Sequence, residues 1–220
     1  MEALLVVGAS LSVLAGVVGA QVTAHREHRA ALLRWAREHG WTWRGRDGAE
    51  AHRHPSPLLG QVRCATDVLS GTWGGRPCVA YDLRAHRTRA GLDGSPQVRV
   101  ERAAVLVVRV RVPLPDLLLQ PRTAVGRLLH RRSDPLRQGY RVRGPGAAEV
   151  LQPGAVPPLL AARDLHLQVV GDEVVCWRRG RSRPDELEER LAVVTAVLDA
   201  VPLSVWCAQP LPGRSAARAC

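Results

Sequence analysis

An uncharged run of about 22 residues, Ala3 to Ala24, constrains this chain more than any other stretch. At about 1.5 Å of rise per residue, a helix of that length just crosses a hydrocarbon core of about 30 Å. The run has no polar face, which argues against a buried helix in a water-soluble core. A cleaved signal peptide would need a positive leading region, and only Met1 and Glu2 precede the run, although Val18-Gly19-Ala20 has the small residues of a cleavage site. Behind the run Arg26, Arg29, Arg34 and Arg37 concentrate positive charge on one side, which by the positive-inside bias places the remaining chain in the cytoplasm. The expectation is a single-pass anchor in the cell membrane over residues 1–24, a juxtamembrane helix over 25–40, an α+β soluble domain over 41–208 and a disordered tail over 209–220.

A net charge of +11 would ordinarily point to nucleic acid or an anionic surface as partner. The chain has no Phe, Ile, Asn or Lys, so all 31 basic residues are Arg. A GC-rich genome accounts for that bias. The arginines are interspersed with acids and do not form a tract, which argues against specific nucleic-acid binding. Five cysteines at irregular spacings, Cys64, Cys78, Cys176, Cys207 and Cys220, form neither a disulfide framework nor a zinc motif. A Cys78–Cys176 bridge stays open for a domain outside the cell, whereas reduced thiols suit the cytosol.

Along the chain, Gly40 stands where a helix C-cap is expected, and Trp41 and Trp43 share one face of a first short strand. Trp35 suits either the membrane interface or packing on the domain. Residues 45–60 read as a loop carrying His52 and His54, which lack further metal ligands nearby, so no metal or other cofactor is expected. Gly74-Gly75 between Val68–Trp73 and Pro77–Arg84 predicts a tight hairpin, and Gly171-Asp172 predicts a second between Leu165–Val170 and Glu173–Arg178. Val98–Val112 reads as the longest strand, with the even positions Val98, Val100, Ala104, Leu106, Val108, Val110 and Val112 apolar and a middle that is apolar on both faces, calling for a helix over the other side. Asp116–Gln120 and Gly139–Arg143 read as further strands, Thr123–Arg132 as a short helix, and Ala147–Leu151 as a helical turn. Pro184, Asp185 and Glu186 behind Ser182 open a final helix whose Leu187, Leu191, Val194, Leu198 and Val201 form one apolar stripe. Together these elements predict an α+β fold: a single N-terminal transmembrane helix, then a mainly antiparallel sheet domain with a C-terminal packed helix.

The anchor followed by Arg34-Trp35 and Gly40-Trp41, the hairpin Leu69-Ser70-Gly71-Thr72 to Gly75-Arg76-Pro77, and the segment Trp177 to Pro202 carry a resemblance. The chain resembles uncharacterised actinobacterial proteins with one N-terminal transmembrane helix and a cytosolic α+β domain of unknown function. That resemblance implies a topology and transfers no activity.

No GxSxG, P-loop, GxGxxG or HExxH motif is present, and Asp82, Asp93, Asp116, Asp134 and Asp164 read as scattered turn or cap residues. The first reading is therefore a membrane-anchored, non-catalytic interaction module at the cytoplasmic face, with a protein partner or anionic lipid and an oligomeric state left open. One alternative is a tethered enzyme with a site assembled from separate segments. The other is an anionic-lipid-binding domain in which Arg109, Arg111, Arg141 and Arg143 share one basic sheet face.

Overall fold

The computed structural model describes residues 2–53, 62–90, 95–123, 134–162 and 164–208. Its strands are β1 (Thr42–Asp47), β2 (Val62–Trp73), β3 (Arg76–Ala90), β4 (Pro96–Arg109), β5 (Leu117–Pro121), β6 (Tyr140–Arg143), β7 (His166–Val170) and β8 (Glu173–Arg179). Helix α1 spans Glu2–Glu38, α2 Gly48–Arg53, α3 Pro135–Gly139, α4 Ala147–Val150, α5 Val156–Ala161, α6 Pro184–Asp199 and α7 Leu203–Ala208. The strands form one sheet in the order β1-β2-β3-β4-β8-β7-β5-β6, and every pairing is antiparallel. The α+β expectation therefore holds for the sheet.

Among the described residues no helix is long and apolar enough to cross a membrane. This finding overturns the expected transmembrane helix and the single-pass anchor built on it. Helix α1 is instead continuous with the packed domain. Nothing stops it near Ala24, because His25 to Glu38 is rich in Ala, Leu, Arg and Glu, all good helix formers, so α1 runs 37 residues without a break. Its C-terminal part is a packed element of the domain. Leu32, Trp35 and Ala36 are buried in the main core, and Gly40, at φ +68°, turns the chain out of the helix.

An aromatic cluster locks this docking. Trp35 stacks on His39 at 4.4 Å and meets the edge of Trp41 at 5.2 Å, while Arg29 lies 4.1 Å over the Trp43 ring. Burying a side chain of this size contributes about 1.5–3 kcal/mol. Gly71 of β2 makes it possible, since a Cβ there would lie 2.4 Å from Trp41 Cγ. Trp35 thus packs on the domain, resolving the alternative left open by its position.

The sheet divides the core in two. On the helix side Ala80, Leu106, Val108, Cys176 and Leu167 pack with α1, with Leu187, Leu191, Val194 and Leu198 of α6 and with Val201 just beyond it. On the other side Val68, Tyr81, Leu83, Val105, Val107, Val175 and Trp177 form a second cluster to which α2 contributes Ala51. Alternate Cβ atoms of β4 thus feed opposite clusters, as a pleated strand requires.

Both predicted hairpins are present. Gly74 and Gly75 take φ +56° and +74° between Trp73 and its partner Arg76, and Gly171 takes φ +57° between Val170 and Glu173. Positive φ at both residues of Gly74-Gly75, and at the first residue of Gly171-Asp172, gives these two-residue loops the twist their strands need.

Other expectations need correction. Residues 45–60 do not form one loop, because β1 continues to Asp47 and α2 follows; residues 54–61 lie outside the described set. The helix expected at Thr123–Arg132 also lies outside it from residue 124 onward. Strand β4 ends at Arg109, and its even positions are not buried throughout: Val98 is 62% and Val100 48% exposed. Pairing with β8 begins only at Ala103 and β2 reaches β3 only as far as His86, the partner of Val100, so, among the described residues, positions 96–99 of β4 project with β3 as a two-stranded ribbon.

Candidate functional site

Strand β2 carries an irregularity that builds the most polar interior region. Thr66 pairs with Asp82 and Leu69 with Ala80, so β2 has one residue more than β3 between them. Asp67 is that extra residue, and its φ of +52° is the left-handed conformation that Asp tolerates better than most side chains. The bulge sets Asp67 beside Asp82, which faces the helices from the middle of β3. Helix α1 lays His28 across the pair: ligand atoms of His28, Asp67 and Asp82 all lie within 4.8 Å of one another, with His28 Nε2 3.8 Å from Asp82 Oδ2.

The second carboxylate oxygen of Asp82 holds the start of α6. Its Oδ1 accepts the Ser182 N–H at 2.8 Å. Ser182 Oγ accepts in turn from Arg190, whose guanidinium also donates to the carbonyls of Ala104 at 2.9 Å and Glu186 at 3.1 Å. Arg190 is 2% exposed, and burial holds its pKa below the usual arginine range against the favourable fields of Cys176, Asp82 and Glu186. Ser182 precedes the helix and is not its N-cap. Arg183 occupies that position without a side-chain capping bond, and Ser182 serves Arg190. Beside the cluster, α1 and the β8–α6 junction border a groove of about 810 Å³ lined by His28, Arg178, Arg179, Arg181, Arg183 and Glu186, with Arg178 paired to Glu186.

A second groove, of about 780 Å³, opens where the two hairpin turns meet the end of β4, lined by Pro77, Val110, Val112 and Trp206 with Arg76, Arg109 and Arg111. Arg109 donates to Glu173 at 3.0 Å. Arg111 is exposed in this groove, whereas Arg141 and Arg143 are exposed on the edge strand β6. Three strands lie between β4 and β6, a separation of about 19 Å at about 4.8 Å per strand. The structure does not bring these four arginines together.

The remaining titratable groups are absorbed by the fold. Burial pushes the Cys78 thiol up to about 11 and Cys176 up to about 12. Both are free, and β4 lies between their strands. Two strand spacings, about 9.6 Å, exceed the reach of a disulfide. Tyr140 Oη shares its proton between the carbonyls of Leu159 and Ala162, each at 2.8 Å, and burial raises its pKa to about 12. His166 stacks on Trp177 at 5.0 Å, and burial, helped by Arg179, lowers its pKa to about 4. Asp134 caps α3 as a turn carboxylate should, Asp116 and Asp164 are exposed, and His52 is exposed on α2. Asp93 and His54 lie outside the described residues.

Sequence reasoning missed His28, Asp67, Ser182 and Arg190 as a group and placed Asp82 among turn residues. Two signals were present: Asp82 interrupts the apolar run Val79-Ala80-Tyr81-Leu83, and Arg190 sits inside the stripe of α6.

No family model and no curated protein matches the sequence. Among solved structures the chain is similar to the mycobacterial trehalose monomycolate transport factor A, TtfA, with a TM-score of 0.57 and 15% identity over 80% of this chain and 97% of that one. Identity this low shows a shared fold. The neighbour is actinobacterial, in keeping with the actinobacterial resemblance of the sequence.

Proposed function

We propose that this protein is a non-catalytic interaction module that assists a membrane transport system by holding a protein partner. The likeness to a transport factor across 97% of that factor's chain carries the reading. The chemistry of the interior supports it. Thiols raised to about 11 and about 12 are poor nucleophiles at neutral pH, and Arg190, Ser182 and Tyr140 spend their donors on backbone and neighbouring side chains.

The test is capture of the tagged full chain from its native cells after brief cross-linking. An integral membrane transport protein should be enriched over a tag-only control, and depletion of the chain should leave that system's cargo undelivered. Recovery without any membrane protein, or turnover of a small molecule by the purified chain, would overturn the reading.

A further inference from the structure

Three metal-ligating side chains converge where α1 crosses the bulge of β2. His28, Asp67 and Asp82 offer ligand atoms within 4.8 Å of one another, and the 3.8 Å between His28 Nε2 and Asp82 Oδ2 falls inside the spread expected around one ion. Donors about 2.0–2.2 Å from a cation lie about 3.0 Å apart at right angles, about 3.5 Å at the tetrahedral angle and about 4.2 Å across it. Side-chain shifts of under about 1 Å would bring the whole set to bonding distance.

Two of the three groups make no hydrogen bond through the atoms they present here. Asp67 is 9% exposed, and among the described residues no hydrogen bond or ion pair reaches its carboxylate. His28 Nε2 is buried and has no hydrogen-bond partner. Leaving such groups unpaired is costly, and two carboxylates this close repel one another unless a cation stands between them. The neighbouring arginines do not take that place. Arg190 is turned to Ala104, Ser182 and Glu186, and Arg178 is turned to Glu186. Arg102, which feels the field of Asp82, is exposed.

We propose that His28 Nε2 and one oxygen each from Asp67 and Asp82 bind a single divalent cation of the manganese-to-zinc series. One imidazole and two carboxylates without a thiolate suit these ions, whereas Mg²⁺ and Ca²⁺ prefer oxygen alone. The remaining coordination positions belong to water from the groove that His28 also lines. The cation ties α1 to β2 and β3 through three side chains from separate elements.

The experiment uses the full chain and Mn²⁺, whose free-ion electron paramagnetic resonance signal falls on binding, with Zn²⁺ as competitor and thermal melting as a parallel readout. Asn tolerates the φ of +52° at position 67, so Asp67→Asn removes ligand charge while keeping the backbone conformation. The parent should bind one Mn²⁺, lose it to Zn²⁺ and melt higher with either metal. Asp67→Asn and His28→Gln should each weaken binding by about tenfold or more and abolish the thermal response, with the metal-free melting point kept as the check on folding. Absence of saturable binding of both metals, or binding undiminished in either variant, would overturn the site.

Discussion

Arg190 is a side chain that a core built only on apolar burial would not contain. Its stem lies in the apolar stripe of α6, and its guanidinium joins that helix to the Ala104 carbonyl of β4 and to Ser182. Arg190→Met would fill much of the space and leave these acceptors unpaired, a loss of about 3–5 kcal/mol measurable by urea denaturation. Gly71 is constrained by steric space. Gly71→Ala sets a methyl group 2.4 Å from Trp41 Cγ, so the Trp41 ring must shift and the protein should lose about 1–3 kcal/mol. His166 sets a pH dependence. Its pKa in the fold, about 4, is below the ordinary 6.5, so the unfolded chain binds the extra proton first. Its contribution is complete above pH about 6.5 and is lost as the pH falls toward about 4. After allowance for a ring partly open to solvent, the loss is about 1–2 kcal/mol and should disappear in His166→Gln.

Among the elements, β4 makes the sharpest test of register. Val108 is 4% exposed beneath the helices and Val98 is 62% exposed on the projecting ribbon, although both occupy even positions of one strand. Val108→Asp should cost several kcal/mol, and Val98→Asp should stay within about 0.5 kcal/mol, as compared by thermal melting. Alternation along β4 was legible because a one-residue slip would bury arginines, and both hairpins were legible because their glycines supply positive φ. The extent of cover was not legible, since it depends on where β8, a strand distant in sequence, stops pairing. The same limit explains the four arginines. Their outward positions could be read residue by residue, but the three strands inserted between β4 and β6 could not. The His28–Asp67–Asp82 group joins a helix, a bulge and a strand through tertiary contacts, and only Asp82 interrupted a local apolar pattern. The apolar run at the start of the chain was misread as a membrane span because a local apolar pattern does not show that the helix it opens packs its later residues, Leu32, Trp35 and Ala36, into the sheet domain.

For the molecule as a whole, cysteine reactivity reports how cooperatively the layers hold. Cys207 is exposed, whereas Cys78 and Cys176 lie beneath the helices with raised pKa values. A thiol reagent followed by mass spectrometry should modify Cys207 at once and reach Cys78 and Cys176 only at the rate of global unfolding; prompt labelling of Cys176 would show that α6 opens by itself. Docking of α1 also has a consequence in time. Trp35 Nε1 donates to Glu188 Oε1 at 2.6 Å, a contact between residues 153 positions apart. At a synthesis rate of about 5–20 residues per second, Trp35 leaves the ribosome about 8–30 s before its partner exists. For that interval the helix is a nascent apolar segment with its own domain still unmade, open to whatever ribosome-associated factor reads such segments first.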